Sequence, residues 1–206
     1  MIIAGAGGHA LEVIDLLIAL GKKDFTLYGE KFPSNFIRQT YPVFSNLDEL
    51  PIHIQSDPFF CLGIGNPVHR HKLYSLFTSS GAALFPLRGA SSRISSFAEL
   101  PKADVMELCY IGSQTRIGQG SLINTGAQIH HEVQIGEFTV INPTAVLLGA
   151  CQIGDFCSIG SNATILPGIK VGSRVNIGAG AVIIRDVPDG QTVVGVPGLP
   201  VADSSR

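Results

Sequence analysis

The sequence predicts a small parallel α/β domain followed by a β-helix built from six-residue repeats. Two observations carry this fold class. An aliphatic residue recurs at every sixth position from Ile111 to Ile183, and residues 1–85 lack that period and instead alternate strand-like with helix-like segments. A period of six fits neither the 3.6-residue repeat of an α-helix nor the alternation of an ordinary strand, so it indicates hexapeptide coils.

The N-terminal domain, residues 1–85, is predicted to be a small Rossmann-like α/β unit. Apolar runs indicate four short strands, at 1–4, 25–28, 59–64 and 82–87. Helical spacing covers two segments, 10–20 and 68–78. On the first helix we expect four apolar residues to face the core: Leu11, Ile14, Leu17 and Ile18.

A glycine loop joins the first strand to the first helix. The pattern Gly5-x-Gly7-x-x-Ala10 stands in the context that a phosphate-binding turn requires, because bare backbone and a helix N-terminus both favour an anion. A tight turn that merely needs glycine is the alternative. A second alternative is that the loop binds a nicotinamide dinucleotide, with Glu30 contacting the ribose. However, about 85 residues is too short for both mononucleotide-binding halves of a dinucleotide fold.

A second loop follows the strand at 59–64 and contains Gly65. Ligands of open α/β sheets bind beyond the carboxyl ends of the strands, so the turns at Gly5, Gly29 and Gly65 are expected to share one edge. Arg70, on the next helix, is a candidate bidentate donor to a phosphate. A solvated charge at the start of that helix is the equally plain alternative.

The hexapeptide frame places Ile, Leu or Val at thirteen consecutive positions six residues apart. Two positions before each, the side chain is mostly small or β-branched, as at Thr115 and Cys151, so both can share the interior. We expect the residue after each aliphatic one, often Gly or Asn, to turn the chain at positive φ. Three hexapeptides then make one coil, and several coils must stack to bury their faces.

The β-helix domain is assigned to residues 86–206. Residues 86–110 form a junction in which Val105 already fits the frame, so a degraded first coil is expected here. Residues 193–198 are expected to cap the other end. Residues 202–206 are expected to form a frayed tail.

Composition excludes several classes of protein. Charged residues make up 15% of the chain and the net charge is −2, so there is no basic field on the scale that nucleic acids require. No apolar run approaches a membrane span, and the N-terminus lacks the basic and apolar regions of a secretory signal. The four cysteines have no CxxC spacing, which favours a reduced, cytoplasmic protein without structural zinc.

The His130-His131-Glu132 triplet is the candidate catalytic feature of the repeats. In the frame Ile129 points inward, His130 takes the corner and His131 points outward. Imidazole titrates near neutral pH and a neighbouring carboxylate fixes its tautomer, so His131 suits a general base. An inert surface histidine is the alternative, and His130 is the weaker candidate. Adjacent histidines point different ways and have no third ligand nearby, so no metal site is predicted.

With these features in view, the whole chain resembles a family of bacterial sugar acyltransferases. That family includes sialic-acid O-acetyltransferases and the N-acetyltransferases of nucleotide-linked amino sugars. The likeness is carried by five stretches: residues 5–13, 63–66, 124–127, His131-Glu132 with 135–138, and Gly195-Val196-Pro197.

The resemblance implies a left-handed β-helix, a homotrimer, and acetyl-CoA bound in the groove between neighbouring helices. It also implies that His131 is the general base and that Glu132 supports it. Seven residues match positions that hold the sugar nucleotide: Ala6, Gly7, Gly8, Gly29, Glu30, Gly65 and Arg70. Ser161 and Ala179 match positions that line the CoA groove, largely through backbone atoms.

Three positions depart from the pattern of the family. The amino-sugar N-acetyltransferases often carry two aspartates where this chain has Gly29-Glu30, which bears on UDP as the nucleotide. They tend to carry a second histidine near the thioester where this chain has Val140, which bears on the acyl group and the acceptor. The basic residue common after the Gly-Val-Pro motif is replaced by Leu199.

The sequence therefore predicts an acetyl-CoA-dependent acetyltransferase of bacterial surface polysaccharide or glycan biosynthesis. Its acceptor would be a nucleotide-linked amino sugar or a sialic-type sugar, with direct transfer and no covalent acyl-enzyme. Expected partners are two further copies of the chain, with no nucleic acid and no membrane span. A non-catalytic trimeric sugar-nucleotide scaffold or sensor is the main alternative, and a nicotinamide-binding oxidoreductase is a second.

Overall fold

The structure is a computed structural model, and it describes residues 1–201. Residues 202–206, where the frayed tail was expected, lie outside the described residues. The chain forms two compact units: Met1–Pro86, and a second that begins at Leu87.

The first unit is a six-stranded α/β sheet in the order β3-β4-β2-β1-β5-β6. All neighbouring strands are parallel except β3 and β4, which form an antiparallel pair at one edge. The elements are, in chain order, β1 (Ile2–Ala4), α1 (Gly8–Ala19), β2 (Thr26–Tyr28), β3 (Phe36–Ile37), β4 (Tyr41–Phe44), a 3₁₀ turn (Leu47–Glu49), α2 (Leu50–Ser56), β5 (Phe59–Leu62), α3 (Pro67–Ser79) and β6 (Ala83–Leu84).

The first helix buries a slightly different face from the one expected. Ile14 and Leu17 are fully buried, but Leu11 is only half-buried and Ile18 is 46% exposed. The buried face runs through Ala10, Val13, Ile14 and Leu17, which follow the i, i+3, i+4, i+7 spacing of one helical stripe. On a helical wheel Leu11 and Ile18 lie about 60° and 40° beyond the Ile14 edge of that stripe.

The second unit is a parallel β-helix with three faces. Face 1 contains β7 (Arg93–Ile94), β9 (Tyr110–Ile111), β12 (Gln128–Ile129), β15 (Val146–Leu147), β18 (Thr164–Ile165) and β21 (Val182–Ile183). Face 2 contains β10 (Arg116–Ile117), β13 (Gln134–Ile135), β16 (Gln152–Ile153) and β19 (Lys170–Val171). Face 3 contains β8 (Asp104–Val105), β11 (Leu122–Ile123), β14 (Val140–Ile141), β17 (Ser158–Ile159), β20 (Asn176–Ile177), β22 (Thr192–Val194) and β23 (Leu199–Pro200).

The strand register confirms the hexapeptide frame. Ile129 pairs with Ile111 on one side and with Leu147 on the other, so aliphatic residues three hexapeptides apart lie directly above one another. Val105 pairs with Ile123, and β7 pairs with β9, so the coils begin in the junction as expected. At the opposite end β23 runs antiparallel to β22.

The buried positions two before the aliphatic residues also hold polar ladders. Thr139 donates its hydroxyl to the Gly154 carbonyl at 2.7 Å and accepts from the Cys157 N–H at 3.0 Å. Ser121 does the same one coil earlier, toward Gly136 and Thr139. A small hydroxyl therefore fills the corner of the interior while meeting its own hydrogen-bonding needs.

The residue that turns the chain is not the one expected. Positive φ occurs three residues after the aliphatic position, at Gln114 (59°), Glu132 (62°) and Asn162 (58°), for example. The glycines directly after the aliphatic residue are required by close packing instead. A Cβ on Gly154 would lie 2.6 Å from the Ser173 nitrogen of the next coil, closer than any real Cβ contact.

All four cysteines are buried thiols outside any disulfide. Burial raises the pKa of the Cys151 thiol to about 12, and it also raises the pKa of Cys109 and Cys157. A buried protonated thiol is a compact apolar side chain and a poor nucleophile, so these residues are core residues.

Within residues 1–201, no helix combines the length and the apolar character that a membrane crossing requires.

Candidate active site

His131 and Glu132 lie together on the corner that leads from face 1 to face 2. The left-handed conformation of Glu132 makes the turn, and its N–H donates to the Ser113 carbonyl of the preceding coil at 2.8 Å. His131 Nδ1 and Glu132 Oε2 are 2.9 Å apart, and the two side chains are 64% and 56% exposed. The corner geometry thus brings adjacent side chains into one hydrogen-bonded pair at the surface.

The pair defines which imidazole nitrogen is available for chemistry. An ionised carboxylate can only accept hydrogen bonds, so His131 Nδ1 must be the donor to Glu132. In the neutral ring Nε2 then carries the free lone pair. The arrangement is that of a base whose tautomer is set by a neighbouring carboxylate.

The imidazole of His131 lies against Gly149 of the next coil. A Cβ built on Gly149 would meet the ring at 2.4 Å from Cε1 and 2.5 Å from Nε2. His130, in contrast, is half-buried, and its ring centroid lies 5.7 Å from that of Tyr110. The two adjacent histidines therefore have different surroundings.

A pocket of about 180 Å³ lies in the first unit, at the carboxyl ends of β1, β2 and β5. These three strands are parallel neighbours, so the loops that follow them share one edge of the sheet, as expected. The pocket is lined by Gly5, Ala6, Tyr28, Gly29, Glu30, Ile64, His69, Lys72 and Leu73. Three of the sequence-predicted binding residues thus border it: Ala6, Gly29 and Glu30.

The pocket contains one exposed ion pair. Lys72 Nζ lies 3.3 Å from Glu30 Oε2, and both side chains are more than half exposed. Burial, and to a smaller extent the charge of Glu30, raises the pKa of Tyr28. The pocket therefore has a buried phenol on one wall and a cation paired with a carboxylate on another.

The remaining predicted residues of this unit lie outside the lining. Gly7 is the N-cap of α1 in an extended conformation, and Gly8 is the first residue of that helix. Gly65 follows β5 and has open space around it. Their backbone groups belong to the same edge of the sheet, but they do not form the walls of this pocket.

The prediction that Arg70 donates to a phosphate does not agree with the structure. Its side chain is fully buried, and Nη1 donates to the Ile64 carbonyl at 2.8 Å and more weakly to the Leu62 carbonyl at 3.5 Å. The guanidinium therefore holds the end of β5 in place and is not presented to a phosphate. The position of α3 explains this, because Arg70 shares the buried stripe of Leu73 and Phe77.

His69 and Lys72, on the flank of α3 beside that stripe, are pocket residues that were not predicted from the sequence. His69 precedes Leu73 by four residues and Lys72 precedes it by one. On a helical wheel centred on Leu73, His69 and Lys72 therefore fall on one side and Arg70 falls on the other. Asn66 caps this helix by accepting from the His69 N–H at 3.1 Å.

Ser161 and Ala179 lie one above the other on the corner that leads from face 3 to face 1. The Gly180 N–H donates to the Ser161 carbonyl at 2.8 Å, which holds these two coils together. His131 is on a different corner and in an earlier coil, about two coils before Ser161 and about three before Ala179. Within one chain, the predicted base and the predicted CoA-lining residues are therefore separated by face 1.

Among residues 1–201 no three His, Cys, Asp or Glu side chains form a group that could hold a metal ion.

Two family models match parts of the chain. The model described as the PglD N-terminal domain matches residues 1–77, and the model described as bacterial transferase hexapeptide, six repeats, matches residues 150–185. A search of curated proteins finds no match.

Solved structures match nearly the whole chain. The acetyltransferase domain of PglB from Neisseria gonorrhoeae is 29% identical with a TM-score of 0.89, and the match covers 97% of this chain and 98% of that one. The same domain has been solved with acetyl coenzyme A, at 28% identity, a TM-score of 0.87 and the same two coverages. PerB from Caulobacter crescentus, in complex with CoA and GDP-perosamine, is 27% identical with a TM-score of 0.88, covering 98% of this chain and 96% of that one.

The fold and these matches define the chain as a hexapeptide acyltransferase with a Rossmann-like N-terminal unit and a left-handed β-helix. The chain is similar to sugar N-acetyltransferases over nearly its whole length, which supports the resemblance to the bacterial sugar N- and O-acetyltransferases.

Proposed function

We propose that this protein transfers the acetyl group of acetyl-CoA to the amine of a nucleotide-linked amino sugar, with His131 as the general base. The observation that carries the proposal is the 2.9 Å contact between His131 and Glu132 on an otherwise regular β-helix. The complex of PerB with CoA and GDP-perosamine favours a nucleotide-linked amino sugar over a free sialic-type sugar. Acetylation of a hydroxyl remains the second form of the proposal.

The reaction requires one proton relay. The sugar nitrogen attacks the thioester carbonyl carbon and forms the new C–N bond, while His131 Nε2 takes the proton that the nitrogen loses. The C–S bond then breaks, and the imidazolium returns the proton to the leaving thiolate, so the products are an amide and free CoA thiol. Glu132 orients the ring and stabilises its charged form.

Backbone N–H groups that project from the corners outside the ladder are suited to hold the developing oxyanion, because the coils fix their directions before reaction. Positioning of both substrates is expected to contribute more than the base does. Oriented reactants can save about 7–11 kcal/mol of the barrier, whereas a general base accelerates a reaction by about 10²–10⁴-fold. The regular column of coils is a rigid support for both substrates.

The nucleotide is assigned to the edge of the first unit. Ala6, Gly29 and Glu30 border the 180 Å³ pocket there, and the backbones of Gly7, Gly8 and Gly65 lie in the adjoining loops. Lys72 replaces Arg70 as the cation placed to meet a phosphate, since Arg70 is buried and Lys72 is exposed. Glu30 is the acceptor available for a ribose hydroxyl.

The complete site is proposed to form between copies of the chain in a homotrimer. His131 lies on one corner of the β-helix, and Ser161 and Ala179 lie on another. A groove that uses both sets of residues therefore needs one corner from each of two copies, with acetyl-CoA between them. The proposed location is the cytoplasm, where acetyl-CoA and nucleotide sugars are available.

The test is a CoA-thiol release assay on the full chain with acetyl-CoA and a panel of UDP-, GDP- and CMP-linked amino sugars and free sialic-type sugars. We expect release with one class of nucleotide-linked amino sugar. His131→Ala should lower turnover by about 10²–10⁴-fold. His130→Ala, on the adjacent histidine, is the matched control and should retain turnover within about twofold.

Unchanged turnover in His131→Ala would remove that residue from the mechanism. Binding of nucleotide sugars without thiol release from any acceptor would instead favour the non-catalytic scaffold or sensor. Thermal protection by a nicotinamide dinucleotide, with no effect of CoA, would favour the oxidoreductase.

A further inference from the structure

Gly149 occupies the position directly above His131 in the stack of coils. Ile129 pairs with Leu147, so the residues two positions further on, His131 and Gly149, follow each other along the corner. The Ala150 N–H donates to the His131 carbonyl at 2.9 Å, which fixes the distance between the two coils at this point. The equivalent residues in the outer coils, Ser113 and Pro167, both carry side chains.

The imidazole fills the space that a side chain on Gly149 would need. The three atoms nearest to a Cβ built there all belong to the His131 ring: Cε1 at 2.4 Å, Nε2 at 2.5 Å and Nδ1 at 3.1 Å. Gly149 is buried although it lies on the outer surface of a corner. The Cε1–Nε2 side of the ring therefore lies closest to the glycine and occupies the space beside it.

Backbone conformation does not explain the glycine. Gly149 is not among the residues with positive φ, so an L-residue can adopt its torsion angles. Close packing of the coils does not explain it either. At Gly112 and Gly154 the nearest atoms belong to the backbone of the next coil, whereas at Gly149 they belong to a movable side chain.

We propose that Gly149 is a positioning residue, whose missing side chain provides the surface on which the His131 imidazole rests while Nδ1 stays hydrogen-bonded to Glu132. The proposal rests on the assignment of His131 as the general base. A methyl group at this position cannot coexist with the ring, so the ring must rotate away. Rotation of the ring breaks the 2.9 Å contact with Glu132 and moves Nε2 from its place.

The test is Gly149→Ala in the full chain, which keeps the backbone N–H of residue 149 and changes only the space above it. We expect turnover to fall by about 10–100-fold, because a displacement of about 1 Å at the reacting groups can cost 10²-fold. The KM for acetyl-CoA should stay within about twofold. Gly168→Ala is the matched control: it lies on the same corner one coil further on, where an added Cβ meets nothing within 4 Å.

A double-mutant cycle separates this effect from a general loss of structure. In a His131→Ala background, Gly149→Ala should cause no further loss of turnover, because there is no ring left to displace. An equal loss in both backgrounds, or wild-type turnover in Gly149→Ala, would overturn the proposal.

A direct observation of the ring distinguishes failure of this proposal from failure of the proposed function. Imidazole ¹⁵N chemical shifts of His131 report which nitrogen carries the proton, and we expect the preference for Nδ1–H to be lost in Gly149→Ala. An unchanged spectrum would overturn the positioning role whatever the activity. If His131→Ala retains full turnover while the spectrum still changes in Gly149→Ala, His131 is not the general base. In that case Gly149 still positions the His131 ring.

Discussion

Two corners of the same β-helix follow opposite rules. The corner from face 2 to face 3 begins with glycine in four successive coils: Gly118, Gly136, Gly154 and Gly172. The corner from face 1 to face 2 begins with glycine once and then with four larger residues: Gly112, His130, Leu148, Leu166 and Ile184.

The difference separates structural from chemical demands on the repeat. On the glycine corner an added Cβ would overlap the backbone of the next coil, and the side chain above satisfies the exposed N–H, as when Asp155 accepts from Glu137 at 2.7 Å. On the other corner side chains vary from coil to coil, and this corner carries the His131–Glu132 pair. A regular scaffold thus leaves one edge free to vary, and the candidate chemistry lies there.

The largest effect is expected from Gly154→Ala on the regular corner. The added methyl group would lie 2.6 Å from the Ser173 nitrogen and 2.7 Å from the Gly172 carbonyl carbon, and neither atom can move without shifting a coil. We expect the free energy of unfolding to fall by about 2–3 kcal/mol, in the upper range for overpacking. Thermal unfolding at one fixed protein concentration measures the change.

Gly168→Ala provides the comparison for stability as well. Its φ is +72° and its added Cβ meets open space, and Ala150 already adopts φ +59° at the same position of the preceding coil. The loss should be about 1 kcal/mol or less. A loss in Gly154→Ala no larger than that in Gly168→Ala would show that clearance between coils does not explain the glycine corner.

Glu132→Gln is the next largest expected effect, and it should act on turnover alone. An amide can present its N–H₂ group to the ring and thereby favour the wrong tautomer, so we expect turnover to fall by about 10–100-fold. Stability should change little, since the carboxylate is 56% exposed. Measurements of kcat and of the melting temperature on the same variant show whether Glu132→Gln affects turnover without affecting stability. A variant that loses stability and activity together would place Glu132 among the structural corner residues.

The smallest effect is expected from Glu107→Gln at the start of the β-helix. Hydrogen bonds from the Ser91 hydroxyl and N–H, and from the Ala90 N–H, lower the pKa of Glu107. A carboxyl with a lowered folded-state pKa stabilises the protein above its unfolded pKa of about 4.3, and this stability is lost as the pH falls through the folded value.

Urea denaturation at pH values from 7 down to about 3.5 measures this contribution, and it should be reduced in Glu107→Gln. Glu137→Gln, on an exposed glutamate of the same β-helix, is the control substitution. An identical acid response of the wild type and Glu107→Gln would show that the bonds to Ser91 and Ala90 add nothing to stability.

The parts of the fold that repeat could be predicted from the sequence. The period places Ile129 and Leu147 in the interior, and it leaves His131 outside beside Glu132, as the structure has them. The period does not reveal backbone torsion angles, and the left-handed residue proved to be Glu132 and not the residue after Ile129. The contact between the His131 ring and Gly149 joins two coils, and it is seen only in the coordinates.

The α/β unit was harder to predict, because its elements occur once each. The parallel strands and the shared edge followed from glycine turns and apolar runs, but β3, β4 and α2 carry no comparable signal. Arg70 illustrates the limit for side chains. A charged residue near a helix start normally faces solvent, and its burial depends on the two carbonyl groups at the end of β5, one of which is 2.8 Å away.

The antiparallel strand at the end of face 3 has a consequence for solubility. Only the end coils of a β-helix have unpaired amides and carbonyls that can act as a template for another strand, so an uncovered final coil invites end-to-end growth into fibres. β23 runs in the opposite direction to the coils, and its last residue, Pro200, has no N–H to offer. The column is therefore terminated by a segment that cannot propagate it.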